Sequence, residues 1–502
     1  MKKYMVYLTA AVCLILAACN NTVEPSTNTG DDSSDFVENQ TWNETVTITY
    51  DGTAATIGDL PDGVTVKNEN GYVTVTSTVK HIAYEVSGSG SGQLNFYSDY
   101  KFSLTLSNLS LSCSDGPAVN NQCGKSLYLI LEGDNTLSDG STYTESDEDR
   151  KAALFSEGQV IVSGTGSLAI TGNYKHAFAS DDYIRIRSGE LDLAANGSDG
   201  IHTNEGVIIN GGTVSILAAN DGIQCDTSSI VVTGGTVNIT SAGDKGLLAY
   251  GNIEISGGNI TVKSTGKGIK TKSNLIVSDG VISVTASSPV SYLAPAWGGG
   301  PGGPGGTGGG PGGDMGGGGG PGNESSGPEG IEAKGTITIS GGQIYACAED
   351  DAINSGSDMT ITGGYVCGYS TGNDGLDANG NCYIKGGIVY AIGSGSPEVG
   401  IDANTEQRKQ LYITGGTVVA IGGLENGASV SIKSTSSQWS SNTWYALYSG
   451  NDLAFAFLTP SSGGNTLTVC TSSSPSLTSG ITVSSGTAIF NGMGNINGTI
   501  SK

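Results

Sequence analysis

Glycines recur along this chain at an almost constant interval. Gly166, Gly189, Gly212, Gly235, Gly258 and Gly280 are 23, 23, 23, 23 and 22 residues apart, and the series resumes at Gly342, Gly364 and Gly387 with steps of 22 and 23. The flanking sequence repeats with them, as in "VIINGGTVSI", "IVVTGGTVNI" and "ITISGGQIYA". A period of this size marks a solenoid, in which each repeat is one supersecondary unit stacked on the next. Within residues 207–229 apolar residues alternate as Val207, Ile209, then Val214, Ile216, then Ile223, Cys225. Three short segments of period two read as half-buried strands. Glycine is expected in the turns between them, at Gly211-Gly212 and Asp221-Gly222, because such turns call for positive φ without a Cβ clash. The expected fold class is all-β: a right-handed parallel β-helix with 22–23 residues per coil and β-rich caps. Its inward Ile and Val stack in columns about 4.8 Å apart, the strand spacing. A leucine-rich repeat has a similar period, but its leucine/asparagine consensus is absent.

The first residues read as a processing segment. Lys2 and Lys3 precede the apolar run "MVYLTAAVCLILAA", and Leu16-Ala17-Ala18-Cys19 resembles a bacterial lipobox. That resemblance implies a signal peptide over 1–18, cleavage before Cys19 and acylation of its thiol. An ordinary signal peptide that happens to contain Cys19 is the alternative. Residues 19–35 read as a flexible tether, 36–125 as an N-terminal β-rich cap or irregular coils, 126–425 as the β-helix and 426–502 as a C-terminal β-rich cap. The ladder skips 62 residues between Gly280 and Gly342, so one coil carries an insert. Residues 288–327 are Gly/Pro-rich and are expected to be a disordered loop. The expected location is the cell envelope, lipid-anchored to a bacterial membrane, at the outer membrane or cell surface.

Acidic residues outnumber basic ones by 47 to 22, a formal net charge of −25. A surface of that sign repels nucleic acid and anionic lipid, so no nucleic-acid partner is expected and the lipid anchor is the expected membrane contact. It repels an acidic polysaccharide too, unless cations intervene. Seven cysteines lie beyond the lipobox, an odd number without zinc-type spacing. Small buried hydrophobes are the reading for most of them, with a Cys113–Cys123 bridge left open.

Aligning the second turn of each coil produces outward columns. At the Asp of "DGI" stand His176, Asp199, Asp221, Lys245, Lys267, Glu329, Asp351 and Asp374; Asp350 precedes one of them. Three residues further on come His202, Gln224, Leu248, Lys270, Glu332, Asn354, Asp377 and Asp402. Carboxylates stacked at strand spacing repel unless something neutralises them. Ca²⁺ is the expected cofactor, because it takes six to eight oxygen ligands and tolerates irregular geometry. The expected metal ligands are Asp199, Asp221, Glu329, Glu332, Asp350, Asp351, Asp374, Asp377 and Asp402. For any one Asp-Gly the competing explanation is good turn chemistry with a solvated side chain. If the insert loops out, Lys270 abuts Glu332 on the next coil. Lysines beside an acidic strip offer a mixed-charge surface for uronic acids, or merely surface ion pairs worth little.

The ordered series "LTLSNLSLSCSDGPAVNN", "LILEGDNTLSDGSTYT", "KAALFSEGQVIVSGTGSLAITGNYKHAFAS", "DGIHTNEGVIINGGTVSI", "EGIEAKGTITISGG" and "DDAINSGSDMTITGG" resembles a family of secreted bacterial carbohydrate-binding proteins. The resemblance implies a pectate-lyase-like β-helix, calcium on stacked aspartates, and plant polysaccharides such as cellulose or polygalacturonate as ligands. Lys245, Lys267 and His176 depart from the acidic pattern, which places calcium in those coils in doubt.

Three functions compete. A monomeric, surface-anchored, calcium-containing carbohydrate-binding protein would engage an extended polysaccharide, with Tyr250, Lys270, Tyr292 and Trp297 as candidate contacts. A pectate-lyase-like enzyme would use Ca²⁺ and Lys270 or Lys267 as base. An adhesin or spacer would only project a tip from the cell. The expectation leans toward binding without cleavage.

Overall fold

Each apolar segment of the repeat is a strand, and each pairs in parallel with its counterpart one coil away. Strands Val207–Ile209, Thr213–Ala218 and Ile223–Cys225 pair with Ile230–Val232, Thr236–Ser241 and Leu247–Ala249. The computed structural model describes residues 33–241, 243–287 and 327–502, and these make an all-β solenoid of about twelve turns. Thirteen short strands form one of its faces. Inward columns are apolar throughout: Ile201, Ile223, Leu247, Ile269, Ile331, Ile353, Leu376 and Ile401 lie under one another, all buried. A hydrophobic stack of this kind gives every coil the same register, because a one-residue slip would turn its apolar set outward.

The two glycine positions of the repeat act differently. The second glycine of each pair has positive φ, as at Gly212 (75°) and Gly235 (82°). The glycine of "DGI" does not. At Gly222 a Cβ would overlap Ile239 and the carbonyl of Gly246, so close packing of turn on core, rather than left-handed backbone, excludes a side chain there.

Residues 288–326 lie outside the described residues, yet the coils on both sides of them pair directly. Ile269–Thr271 pairs with Ile331–Ala333, and Leu275–Ala286 with Ile337–Ile339 and Gln343–Ala348. The coils before and after this stretch are therefore neighbours in the solenoid. Cys19, Tyr292 and Trp297 also fall outside the described residues. Among the described residues no helix is long and apolar enough to cross a membrane.

The solenoid begins earlier than the glycine ladder. Strands Glu44–Gly52, Ile82–Ser91, Phe102–Ser112 and Leu127–Glu132 already stack in parallel. Here long strands bend without a glycine pair, and Asn108 takes positive φ (51°) at a bulge, so the repeat is hidden in the sequence. Two antiparallel hairpins, Glu44–Gly52 with Ala54–Ile57 and Val64–Glu69 with Tyr72–Ser77, lie at this end of the two sheets and fold their edges back on themselves. The segment 33–39 runs along the flank, where buried Asp35 meets Arg185 Nε at 2.6 Å and Glu38 meets Arg187 at 2.7 and 2.9 Å.

The C-terminal residues do more than close the far end. A five-stranded antiparallel sheet that includes Trp444–Ser449 and Asp452–Leu458 packs against outward residues Cys367, Tyr390, Ile392, Val419 and Ile421 of the coils. This second core buries Phe455, Phe457 and Phe490, and the Tyr390 hydroxyl donates to the Leu458 carbonyl at 2.9 Å. Phe457→Ala should cost about 3–5 kcal/mol of cap stability. Limited proteolysis should then cut within 438–502 first, leaving the coils resistant; simultaneous loss of both would mean that cap and coils unfold as one unit. All seven described cysteines are free thiols and six are buried, as small hydrophobes would be.

Candidate functional site

The outward face of the thirteen-strand sheet is a polar strip built by the repeat itself. Each "DGI" aspartate first serves its own fold. Asp199 Oδ1 accepts the Asp221 N–H at 3.0 Å, Asp221 Oδ1 that of Lys245 at 2.7 Å, Asp351 Oδ1 that of Asp374 at 3.1 Å, and Asp374 Oδ1 that of Val399 at 2.5 Å. One oxygen of each thus pins the next turn, a backbone donor that would otherwise be buried unpaired. The second oxygen meets different partners: the two imidazoles at Asp199 and Asn354 at Asp351. The nine expected ligands do not form one continuous site; they divide among clusters with different counter-charges.

Toward the C-terminal end lie Asp351, Asp374, Asp377 and Asp402. Carboxylate oxygens of Asp374, Asp377 and Asp402 come within 4.8 Å of one another. Burial, Asp377 and Asp374 push the Asp351 carboxyl up to about 9; burial pushes Asp374 up to about 7 and Asp377 to about 6. Burial and the neighbouring Glu425 raise Asp402 as well. Among the described residues no lysine or arginine forms an ion pair with any of these four. Acids this close, buried at Asp351 and Asp374 and half-buried at Asp377 and Asp402, and without such a partner fit a hard cation that takes oxygen ligands. Glu425 belongs with them: the bridge between Ile401 and Leu424 sets it beside Asp402, and Thr405 donates to it at 3.0 Å. Its signal was present, since Gly423-Leu424-Glu425 repeats Gly400-Ile401-Asp402 after 23 residues. Asp350 lies on the rim, where Asn373 Nδ2 donates to it at 2.8 Å.

In the middle of the strip Glu329 and Glu332 are matched by lysines. Lys267 Nζ lies 2.7 Å from Glu329 and 3.1 Å from Glu332; Lys270 reaches Glu332 at 3.2 Å, and Lys334 pairs with its other oxygen. Lys270 stands directly across from Glu332 in the sheet. Burial and Glu332 raise the Glu329 carboxyl; although burial opposes it, Lys334, Lys267 and Lys270 hold Glu332 down. Asn354 ties this group to the acids by donating to Glu329 at 3.2 Å and Asp351 at 3.1 Å.

Toward the N-terminal end the strip changes again. Asp221 faces Lys245, and Asp199 sits between the imidazoles of His176 and His202. Tyr250 is half-exposed at the end of Leu247–Ala249.

Comparison with known proteins bears on what such a strip does. A family described as carbohydrate-binding domain-containing protein matches residues 69–375, more than half of the chain. The chain belongs to this carbohydrate-binding family. The match ends two residues before Asp377 and more than one coil before Asp402. No curated protein matches the sequence. A solved structure, described as the polysaccharide lyase-like protein from C. thermocellum in a gadolinium derivative, is similar at 19% identity with a TM-score of 0.35, over 47% of this chain and 89% of that one.

Proposed function

We propose that this protein binds an extended, uronic-acid-containing polysaccharide along the strip, with Ca²⁺ held by Asp374, Asp377 and Asp402 and by Asp351 and Glu425 beside them. The observation that carries the reading is the cluster of carboxylates, Asp374 buried and Asp377 and Asp402 half-buried, within 4.8 Å of one another and, among the described residues, without a lysine or arginine ion pair. When bound, the ion supplies positive charge that the strip lacks there and can bridge to a sugar carboxylate. Membership of a carbohydrate-binding family supports a glycan over a bare spacer. Tyr250 offers an exposed ring for stacking on a sugar. The lipobox supports display from a cell envelope through Cys19.

Binding is favoured over cleavage by the state of the two candidate bases. Lys267 and Lys270 are 7% and 2% exposed; Lys267 contacts Glu329 and Glu332 and Lys270 contacts Glu332, so although burial holds the Lys270 ammonium below its usual range, both amines face the strip's own carboxylates and not a substrate. Pull-down on insoluble polygalacturonate tests the proposal. Calcium should support binding, EDTA should abolish it, and Asp377→Asn should weaken it by about tenfold or more, the equivalent of about 1.4 kcal/mol. Retention that is the same in EDTA would remove the calcium bridge from the reading.

A further inference from the structure

Two of the three histidines in the chain meet at the N-terminal end of the strip. His176 Nδ1 lies 3.1 Å and His202 Nδ1 3.0 Å from the same oxygen, Asp199 Oδ2. The three ligand atoms lie within 4.8 Å of one another, with His176 and Asp199 buried. The geometry points to a second cation site: we propose that His176, Asp199 and His202 bind a divalent transition metal of the zinc class. Six strand pairings separate this group from Asp377, on the order of 30 Å at the usual strand spacing. It is thus a different site from the acidic cluster and stands independently of the sugar-binding reading.

Three observations support it. The donor set is two imidazole nitrogens and one carboxylate oxygen, which suits zinc or its neighbours and not calcium, an ion that takes oxygen ligands. The nitrogen–oxygen separations are close to the edge of about 3.3 Å expected when ligands sit about 2.05 Å from a tetrahedral ion. The surroundings orient Asp199 and His202, while His176 Nδ1 also accepts the Asp199 N–H at 3.4 Å, a bond that metal loading would replace. Asp199 Oδ1 is occupied by the Asp221 N–H at 3.0 Å and Asn220 Nδ2 at 2.8 Å, which leaves Oδ2 to face the imidazoles. The far nitrogen of His202, Nε2, is 3.4 Å from Asp226 Oδ2, and Gln224 Nε2 in turn donates to Asp226 Oδ1 at 2.7 Å. A carboxylate behind the histidine is the usual support for a zinc-bound imidazole, since it fixes the tautomer and orientation. Three protein ligands leave a fourth position for water or a ligand oxygen. The two rings stack at 4.2 Å with 20° between their planes, so loading must swing them apart to bring both lone pairs onto the ion.

The test is zinc titration by calorimetry on full-length, tag-free protein saturated with calcium, with Co²⁺ as a spectroscopic probe. One zinc per chain with micromolar or tighter affinity is expected, and Co²⁺ should give visible d–d absorption of a four- or five-coordinate site. His202→Ala and His176→Ala should each weaken zinc binding by roughly a hundredfold and abolish the Co²⁺ bands, while Asp226→Asn should cost about 10–100-fold. Asp377→Asn should leave zinc uptake unchanged. Thermal melts identify any variant that fails to fold; His202→Gln, a smaller change at a partly exposed position, then takes its place. Absence of zinc uptake, or uptake equal in wild type and His202→Gln, would overturn the assignment and leave the group as an ion-pair network.

Discussion

Stripped of calcium, the protein should lose stability as pH rises from about 4 to about 9, and calcium should restore it mostly at the alkaline end. The sign follows from the acidic cluster. Asp351, Asp374 and Asp377 are pushed up to about 9, 7 and 6, with burial as the leading cause. In the unfolded chain the same groups ionise near pH 4, so the folded state holds protons that the unfolded state has released, and that advantage fades as pH rises through the folded values. In the proposed reading calcium takes the place of those protons. At a thousandfold excess over its dissociation constant a ligand adds about 4 kcal/mol, which in a chain of this size is roughly 4 °C of melting temperature. Scanning calorimetry in EDTA and in calcium should show a gap of that order at about pH 8 and little at about pH 5, where calcium competes with protons. A gap of equal size at both pH values would mean that calcium binds elsewhere. A chelated protein that grows more stable over this range would mean that these carboxyls are already ionised without a metal.

Lys267→Met should be nearly as damaging, at about 3–5 kcal/mol, because it leaves two buried carboxylates short of a counter-charge. Glu329 is fully buried and Glu332 is 2% exposed, and Lys267 Nζ touches both at 2.7 and 3.1 Å. Lys270 and Lys334 still serve Glu332 after the change, whereas Glu329 keeps only a neutral amide, from Asn354. Adding Glu329→Gln should therefore recover a good part of the loss. Chemical denaturation of the single and double variants measures this directly. A single variant as stable as wild type would show that Glu329 is protonated at neutral pH and does not depend on the lysine.

Much of this architecture could be read from spacing. A 23-residue period with apolar residues at alternate positions permits few folds, and the spacing alone places Asp351 next to Asp374 and Lys270 next to Glu332. Glu425 obeys the same spacing and was legible in principle. So was the docking face of the C-terminal sheet. Outward positions that are Ser215, Asn238, Thr261 and Ser283 in earlier coils become Tyr345, Cys367, Tyr390 and Val419 in later ones, and an apolar residue pointing out of a solenoid implies a cover. The early coils were obscured because their turns use bends and Asn108 in place of paired glycines.

What the sequence determined by itself was the coil: strand length, turn position, the direction each side chain faces, and hence which residues form a column. These follow from local steric rules and a repeated hydrophobic pattern, which act over one or two coils. Only the tertiary structure decided how each column is neutralised. Glu329 and Glu332 turn to Lys267 across the 288–326 stretch, Asp199 turns to two imidazoles, and Asp374, Asp377 and Asp402 turn to one another. Asp35 finds Arg185 far along the chain. Column membership places side chains only to within a strand spacing of about 4.8 Å, whereas an ion pair, a hydrogen bond or a metal ligand is made or lost within about 1 Å, a distance that packing alone sets.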